Sequence, residues 1–466
     1  MEPQTDPSAD QSEADPTGKD YLLDRRAVAA ILSAVDANDR EALTALMRPL
    51  HNADIADLLE QIHAADRARL IRLYGHGFEG EILSELDESL REKVIDILSP
   101  QVLADAVRDL DSDDVVDLLE DLQEPQQEAI LDVLEDADRV AVEQALAYPE
   151  HSAGRLMQRE VVMAPAHWTV GEAIDYMRES ALLPEQFYHV ILVDPRLHPT
   201  GNVTLGKIMS SRREVPLTDI TEDVFQVIPV TQDEEDVAYA FNQYHLISAP
   251  VVDGEGRLVG MITIDDAMAV LNEEHEEDIL RMAGVGEESS LSDTVLATSR
   301  RRLPWLGVNM VSAICASLVI SQFEDTIARF ISLAILMPLV ASMGGNAGTQ
   351  SLAVAVRALA TKDLTSANAW RVIRRELSVG LVNGLVFACV LGMVGLFWFG
   401  SPLLGVVVGA AVIINMIIAG FAGTVVPVVL VKLRIDPALA SGTFVTTTTD
   451  VMGFFIFLGL ASMVLM

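Results

Sequence analysis

The last third of the chain contains long stretches almost free of charge, and these constrain the fold more than any other feature of the sequence. Residues 303–323, 330–356 and 377–431 contain no Asp, Glu, Lys or Arg, and residues 437–466 contain only Asp450. About 20 apolar residues suffice for a helix to cross a bilayer. The longest stretch is long enough for two helices, and Gly400-Ser401-Pro402 gives a turn signal near its middle. We therefore predict five membrane spans, at about 303–323, 330–356, 377–399, 403–431 and 438–464.

Charge is segregated from these apolar stretches. The 466 residues include 69 Asp or Glu and 32 Lys or Arg, yet residues 303–466 hold only 6 acidic and 8 basic side chains. The first 302 residues therefore carry 63 acidic and 24 basic side chains, a net charge of −39. Such acidity disfavours nucleic acid as a partner and favours cations, although a salty habitat also selects acidic proteins. Both cysteines, Cys315 and Cys389, lie in apolar stretches, which argues against a disulfide framework or a thiolate metal site.

Basic residues near the span ends predict the orientation. They cluster at 300–302, at 357–375 and at 432–434, which all fall on the same side of the membrane as the N-terminal region. Because Lys and Arg resist translocation, that side is predicted to be cytoplasmic. Five spans then place the C-terminus outside a bacterial plasma (inner) membrane. Residues 1–20 are acidic, contain Pro and lack an apolar core, which predicts a disordered tail and not a signal peptide.

Residues 21–149 are predicted to be an all-α superhelical domain. Apolar residues recur at intervals of three and four, and the segment 54–62 is echoed by 114–122. Helix starts led by Asp recur near Asp87 and Asp136, which indicates stacked helical hairpins. The alternative is a plain acidic helical domain whose carboxylates only solvate it.

After residue 149 the pattern of apolar residues changes and indicates alternating strands and helices. These form two predicted α+β units, 150–212 and 213–272. Each is predicted to have the order strand, helix, strand, strand, with an unusual insert at 197–201 in the first unit. The pattern resembles a pair of CBS domains, and LVGMITIDD at 258–266 is similar to the end of the second motif. The resemblance implies that Thr263 and Asp266 contact a nucleotide ribose, with ATP as the candidate ligand.

A run of carboxylates follows the second unit and opens a predicted connecting helix at 273–302. Five of the six residues 273–278 are acidic, and like charges at i and i+4 oppose a helix. A divalent cation would relieve this repulsion; a solvated, salt-screened patch is the alternative.

Asp450 is the charge that most restricts function, since a carboxylate inside a bilayer costs about 2.5–3.5 kcal/mol on insertion scales. The predicted span interiors hold no Lys, Arg or His to pair with it. It is therefore expected to face a watery path, the alternative being a protonated structural acid. In span two, Pro338 and the glycines of GGNAGTQ at 344–350 predict a helix break that frees carbonyls, although such glycines also permit close helix packing.

Oxygen ligands of this kind suit Mg²⁺ or Ca²⁺ and not softer metals. Mg²⁺ usually keeps several waters while one or two carboxylates hold it, and each chain supplies one Asp450. Because twofold dimers are the commonest oligomers, we predict a homodimer with the ion path on or beside its axis.

Specific motifs resemble the MgtE family of magnesium transporters. They are LPWL at 303–306, FE at 323–324, Pro338 with GGNAGTQ, RALATKDL at 357–364, DPAL at 436–439 and SGTFVTTTTD at 441–450. The resemblance implies a multi-domain chain: an all-α superhelical N-terminal domain, an α+β tandem CBS pair, and an all-α polytopic membrane domain with five transmembrane helices. It also implies a dimeric, Mg²⁺-selective, channel-like pore held shut by cytosolic Mg²⁺.

The resemblance also assigns candidate residues. Those of the pore are Asp450, Asn346, Gly344, Gly345, Thr446 and Thr449. Those of the regulatory metal sites are Asp436, Glu273, Glu276, Glu277, Asp265, Asp109, Asp113 and Glu234.

Two other functions stay open at this point. One is transport of another divalent cation such as Co²⁺, and the other is a membrane-anchored CBS nucleotide sensor. An enzyme is not expected, because no nucleophile-and-base arrangement and no phosphate-binding loop is found.

Overall fold

The structure, a computed structural model, describes residues 23–108, 110–120, 122–134, 136–180, 183–184, 186–285, 295–365 and 367–466. It contains two compact units, divided between Ala267 and Met268. The predicted disordered tail lies outside the described residues.

The first part of the N-terminal unit is helical. Its helices are α1 (Arg25–Asp36), α2 (Arg40–Met47), α3 (Asn52–Gln61), α4 (Ala64–Tyr74), α5 (Glu81–Ser84), α6 (Glu88–Ile95), α7 (Pro100–Arg108), α8 (Ser112–Glu120), α9 (Glu124–Leu131) and α10 (Asp136–Ala145). The echoed segments 54–62 and 114–122 fall in α3 and α8. One continuous apolar core runs from Ile31 to Ala145, as expected for stacked hairpins.

Polar side chains close the C-terminal ends of the two echoed helices, α3 and α8. The Arg67 guanidinium donates to the carbonyls of Leu59 (2.6 Å) and Ile62 (3.1 Å) at the end of α3. Gln127 donates in the same way to Leu119 in α8, at 2.8 Å. The last carbonyls of a helix lack partners within the helix, so these contacts supply donors that the buried hairpin turns would otherwise lack.

Two three-stranded sheets follow. The elements are α11 (Ala153–Leu156), β1 (Met163–Pro165), α12 (Val170–Glu179), β2 (His189–Val193), β3 (Pro199–Thr204), α13 (Leu205–Ser210), β4 (Ile228–Pro229), α14 (Glu234–Tyr244), β5 (Ser248–Val252), β6 (Leu258–Thr263) and α15 (Ile264–Met282). In each sheet the first strand is parallel to the middle strand and the third is antiparallel to it. The predicted order of strand, helix, strand, strand is confirmed in both units.

The stretch 197–201 is not an insert, and that prediction is wrong. Leu197 and His198 belong to the hairpin loop, in which the Asp194 amide donates to the carbonyl of His198 at 3.0 Å, and residues 199–201 begin strand β3. The second unit has the same loop, where the Asp253 amide donates to Arg257 at 3.0 Å. Leu197 has φ +65°, whereas the second unit places Gly256 (φ +79°) in the corresponding left-handed turn. The unfamiliar sequence therefore reflects a strained leucine at a position that favours glycine.

The membrane unit contains the last part of α15 and six further helices. They are α16 (Val295–Ser321), α17 (Glu324–Arg329), α18 (Ile331–Ala360), α19 (Ala369–Phe399), α20 (Pro402–Lys432) and α21 (Pro437–Leu465). Among the described residues, five helices are long and apolar enough to cross a membrane, as predicted. The helices of spans one and three begin several residues before the charge-free stretches and carry arginines in their first two turns. Long basic side chains at a helix end reach the aqueous interface, so a charge does not mark where the helix starts.

Helix α20 is the centre of the bundle. In the most apolar 18-residue stretch of α20, 61% of the residues are buried. The corresponding share in α16, which packs mainly on α21, is 6%. Backbone meets backbone between α19 and α20, where a Cβ on Gly380 would lie 2.6 Å from the carbonyl oxygen of Met416. A Cβ on Gly395 would lie 2.7 Å from the Cα of Gly405. Small residues allow this close approach, which drives helix association in lipid.

Helix α18 is continuous through Pro338 and the glycines, so the predicted helix break is wrong. Two of the glycines instead allow side chains of neighbouring helices to pack against the backbone of α18. A Cβ on Gly344 would lie 2.1 Å from the amide nitrogen of Asn415, and one on Gly348 would lie 2.7 Å from Val445. Close packing, the alternative reading of these glycines, accounts for them at these two positions.

Candidate functional site

Three of the four threonines before Asp450 donate their hydroxyl protons to the backbone of their own helix. Thr446 donates to the Gly442 carbonyl at 2.8 Å, Thr448 to Phe444 at 2.8 Å and Thr449 to Thr446 at 3.0 Å, whereas Thr447 lies 2.6 Å from both the Thr443 carbonyl and the Ser312 hydroxyl. A hydroxyl has one proton and two lone pairs. Once the proton is committed, these side chains offer mainly acceptors to their surroundings.

Thr446 and Asp450 stand one turn apart and therefore share a face of α21. Thr446 is exposed and Asp450 is partly buried. Among the described residues no cationic side chain pairs with Asp450. Thr449 faces elsewhere: it is fully buried and packs against α18 at Gly348. This face of α21 thus presents one carboxylate and one hydroxyl acceptor.

Helix α18 presents a similar surface at Gly345. A Cβ there would meet nothing within 4 Å, so the backbone is open on that side. Thr349, one turn later, is exposed and donates its hydroxyl proton to the Gly345 carbonyl at 2.9 Å. Gly344, by contrast, is buried against Asn415.

Asn346 lines a polar cavity. The cavity has a volume of about 370 Å³ and is lined by Met343, Asn346, Ala347, Thr349, Gln350, Asn383, Phe387 and Met416. Three amide side chains and a hydroxyl therefore face a half-open cleft at the surface of the bundle. A polar lining of this kind is tolerated where water or a second chain covers it.

Asn415 is a buried amide that the sequence reasoning missed. It is fully buried and donates from Nδ2 to the carbonyl of Val340 at 3.0 Å. Its Oδ1 has no hydrogen-bond partner within the described part of the chain. It lies between Gly344 and Gly453, where added Cβ atoms would come within 2.1 and 2.8 Å of it. The amide therefore fixes the spacing of α18, α20 and α21 beside the Asp450 level.

In the N-terminal unit, acids from α8 meet acids from the start of α15. Burial, and then the charge of Asp266, raise the pKa of Asp113 well above its ordinary value and that of Asp114 to about 7. Burial also raises the pKa of Asp266 to about 6, with Asp265 adding to the rise. Burial followed by Glu160 raises the pKa of Asp111. We call Asp111, Asp113, Asp114, Asp265 and Asp266 the acidic junction; Asp109, also predicted as a ligand, lies outside the described residues.

The predicted nucleotide pair belongs to this junction. The Thr263 hydroxyl donates to Asp266 at 2.5 Å, and the Thr263 amide donates to the same oxygen at 3.3 Å. The two side chains therefore bond to each other at the first turn of α15 and cap it. Asp266 serves both the helix cap and the acid cluster.

Glu234 belongs to a different contact. Its carboxylate lies 2.6 Å from Nδ1 of His151, and burial raises its pKa against the opposing effect of that bond. Among its further neighbours are Glu120 and Asp233, which also raise the pKa. The structure therefore separates Glu234 from the acidic junction.

The predicted regulatory acids Glu273, Glu276, Glu277 and Asp436 lie in the membrane unit. Glu273 and Glu276 are exposed on α15, and Asp436 caps the first turn of α21. Glu277 and Asp436 share the cation Arg281, whose guanidinium lies 2.7 Å from Glu277 and 2.5 Å from Asp436. Burial, and then Asp436, raise the pKa of Asp278.

The acids approach one another without enclosing an ion. Among the described residues, no group of three or more His, Cys, Asp or Glu side chains is arranged to hold a metal. The donors are oxygen atoms, which suit Mg²⁺, and Mg²⁺ commonly keeps several waters between itself and the protein. These carboxylates are therefore better suited to bind Mg²⁺ through its water molecules than to coordinate it directly.

Sequence reasoning missed Asp114, Asp278, Arg281 and a buried acid, Glu376. The signal for Asp114 was present, since it adjoins Asp113 in the repeated segment. Glu376 was taken as the polar boundary of span three, yet it lies in the second turn of α19, is 8% exposed and accepts from the Ser351 hydroxyl at 2.9 Å. Its burial depends on α18 and α20, which a linear sequence does not reveal.

A bundle of five spanning helices with a carboxylate in the last one, behind a helical domain and paired α+β units, defines a polytopic membrane transporter. Family models match three parts of the chain. The model for the MgtE divalent cation transporter matches residues 337–460, that for the MgtE intracellular N domain matches 50–151, and that for the CBS domain matches 153–214 and 217–273. The chain belongs to the MgtE family.

Three curated relatives are each described as the magnesium transporter MgtE. That of Bacillus subtilis (strain 168) is 30% identical over 409 residues, 88% of this chain and 91% of the relative. That of Enterococcus faecalis is 34% identical over 322 residues, 69% and 71% of the two chains. That of Thermus thermophilus is 29% identical over 449 residues, 95% and 99%. The family is one of membrane transporters and not of enzymes.

A solved structure also resembles part of the chain. It is the cytosolic domain of the Mg²⁺ channel MgtE in complex with ATP, 27% identical, with a TM-score of 0.49, covering 52% of this chain and 99% of that one.

Proposed function

We propose that this protein transports Mg²⁺ through a channel-like pore formed by a homodimer. The observation that carries the proposal is the shared face of Asp450 and Thr446 on α21, with the open face of Gly345 and Thr349 on α18. Because both threonines donate their protons to backbone carbonyls, this surface offers a carboxylate and oxygen lone pairs. The water molecules around a hydrated Mg²⁺ point their hydrogens outward, and acceptors are what they require.

The homodimer follows from the charge of the ion. One Asp450 supplies one negative charge, whereas two related by a twofold axis match a divalent ion. The faces that would line such an axis are left exposed or open within one chain, at Thr446, Gly345 and Thr349. The donors on this face are oxygen atoms, and no group of three or more His, Cys, Asp or Glu side chains in the described residues could hold a metal directly, which favours hydrated Mg²⁺ over Co²⁺, Zn²⁺ or Ni²⁺.

The orientation proposed is N-terminus cytoplasmic and C-terminus outside, in a bacterial plasma membrane. Basic residues lie in the first two turns of α16 and α19, at the ends of α18 and α20, and in the loops that follow α18 and α20, and we call this the basic end of the bundle. Basic residues favour the cytoplasmic side. The acidic junction and Asp436 then face the cytosol, where Mg²⁺ can reach them.

Regulation is proposed to use repulsion between carboxylates. Partial burial and the charges of neighbouring carboxylates raise the pKa of Asp113, Asp114 and Asp266, so these groups resist ionisation. A hydrated Mg²⁺ would offset that repulsion and favour the compact arrangement over a splayed one. Glu234, Glu273, Glu276, Glu277, Asp265, Asp109 and Asp436 stay candidates for such sites. ATP at Thr263 and Asp266 would compete with the metal for Asp266, because the same carboxylate serves both.

The pore is tested by rescue of a bacterium that cannot import Mg²⁺. Wild type should restore growth at low Mg²⁺, and Asp450→Asn, which keeps the shape and removes the charge, should not. The matched control is Asp325→Asn, which removes a charge from the loop helix α17 and should rescue like wild type. Equal rescue by Asp450→Asn and wild type, at equal amounts of protein in the membrane, would overturn the role of Asp450.

The alternative functions give different results. A Co²⁺ transporter would restore Co²⁺ uptake but not growth at low Mg²⁺. A membrane-anchored nucleotide sensor would keep its cytoplasmic response when Asp450 is replaced, whereas a pore loses transport.

A further inference from the structure

The end of α15 is attached to the basic end of the bundle by a cation that belongs to the protein. Arg281, in the last turn of α15, places one guanidinium nitrogen 2.5 Å from Asp436 and another 2.7 Å from Glu277. The Arg281 and Asp436 side chains are 18% and 29% exposed. Arginine can hold two carboxylates at once because its donors are fixed in a planar fork.

The next residue adds an apolar contact. Met282 packs against Leu352 and Val356 near the end of α18 and against Ala438 and Val445 of α21. A Cβ on Gly442 would lie 3.3 Å from the Met282 carbonyl oxygen, so the last turn of α15 rests directly on α21. The helices it contacts are those that carry Gly345, Thr349, Thr446 and Asp450.

We propose that Arg281 acts at Asp436 as a built-in cation, which docks the connecting segment 268–282 on the pore helices without Mg²⁺. Family resemblance leads one to expect a metal at Asp436; in this structure a guanidinium already neutralises that carboxylate. Arg281 therefore sets how far docking depends on Mg²⁺. The inference rests on the proposed function, in which docking of this segment closes the pore.

The charges nearby explain why Mg²⁺ still has an effect. Arg281 carries one positive charge, whereas Glu277, Asp278 and Asp436 lie around it. Asp278 is close enough to interact with both Asp436 and Arg281, so three carboxylates lie near one guanidinium at this contact. A divalent ion can therefore strengthen docking that Arg281 begins.

The test measures docking directly, by the rate at which a maleimide modifies a cysteine at position 282. The full-length protein in nanodiscs carries Met282→Cys with Cys315→Ser and Cys389→Ser, since both native cysteines are exposed. In EDTA the cysteine should be protected. Arg281→Gln should raise its modification rate in EDTA by about tenfold, equivalent to about 1.4 kcal/mol of docking free energy, and millimolar Mg²⁺ should restore protection.

Two matched variants identify the ion pair as the cause. Arg257→Gln removes the same charge from a surface pair with Asp253 in the N-terminal unit, and it should leave the rate unchanged. Arg281→Asp and Asp436→Arg should each remove the protection of the cysteine at position 282 in EDTA. The double variant, in which the two charges are exchanged, should restore it. Restoration also excludes misfolding as the cause.

The outcomes separate this inference from the proposed function. Equal modification rates for Arg281→Gln and its parent in EDTA would overturn the role of Arg281. A fast rate in Arg281→Gln that Mg²⁺ fails to restore would support Arg281 and would instead contradict the proposed regulatory metal.

Discussion

Asp114 shows how the partial burial of one carboxyl group makes stability depend on pH. An ordinary aspartate loses its proton near pH 3.8, whereas burial and Asp266 raise the pKa of Asp114 to about 7 in the fold. Between these values the folded protein binds more protons than the unfolded chain. The contribution of Asp114 to the free energy of unfolding is therefore fully present below pH 4 and is lost as the pH rises through about 7.

We expect Asp114→Asn to remove part of this fall. In EDTA at pH 8 the variant should be more stable than wild type by about 1–3 kcal/mol, since one pKa unit corresponds to about 1.36 kcal/mol. Near pH 4 the two should be alike. Thermal unfolding of the full-length protein across pH 4–8 measures this, with exposed Asp132→Asn as the control. A stability difference that does not change with pH would contradict the assignment.

Glu376 supplies a second prediction at this scale. Glu376→Gln keeps an oxygen to accept from Ser351 and should leave stability equal or higher, because no charge is buried. Glu376→Ala leaves the Ser351 hydroxyl without its acceptor and opens a cavity, and should cost about 2–4 kcal/mol. The measure is the temperature at which half of the detergent-solubilised protein stays monodisperse. Destabilisation by Gln as large as by Ala would show that the charge itself is required.

Among the elements, α16 and α21 are joined by a polar ladder. The Thr447 hydroxyl lies 2.6 Å from that of Ser312, and the Thr443 hydroxyl lies 3.3 Å from Oδ1 of Asn309. The ladder runs toward Asp450 and fixes the rotation of α21 about its axis.

A double-mutant cycle of Ser312→Ala and Thr447→Val should give a coupling of about 0.6 kcal/mol, the usual size for a hydrogen bond between membrane helices. Thr447→Ser keeps the hydroxyl and should behave like wild type. Ser317→Ala is the control, because Ser317 bonds only within α16. Unfolding of the purified protein by denaturant measures the coupling, and additive single effects would argue against the ladder.

The elements also show what the sequence could and could not predict. Charge-free length and hydrophobic period were sufficient for five spans and for both α+β units, since these patterns are local. The glycines at 344–348 led to the wrong prediction of a helix break, because glycine weakens an isolated helix. In the fold, Asn415 and Val445 fill the space that side chains at Gly344 and Gly348 would take. In the same way, Arg281 was passed over because its importance depends on Asp436, 155 residues away.

For the whole molecule, the net charge of −39 before residue 303 makes stability depend on ions. We expect millimolar Mg²⁺ to raise the unfolding temperature of the full-length protein more than NaCl at the same ionic strength, because specific binding adds to screening. Combining Asp114→Asn with Asp436→Asn should reduce the difference. Scanning fluorimetry in both salts measures it, and equal effects of the two salts would indicate screening alone.

Helix α16 makes its main contact in the chain with α21. Nearly its whole circumference is consequently left to acyl chains or to a neighbouring copy of the protein. Substitutions on that outward side should therefore change how firmly two chains remain associated, and should scarcely affect how one chain attains its own structure.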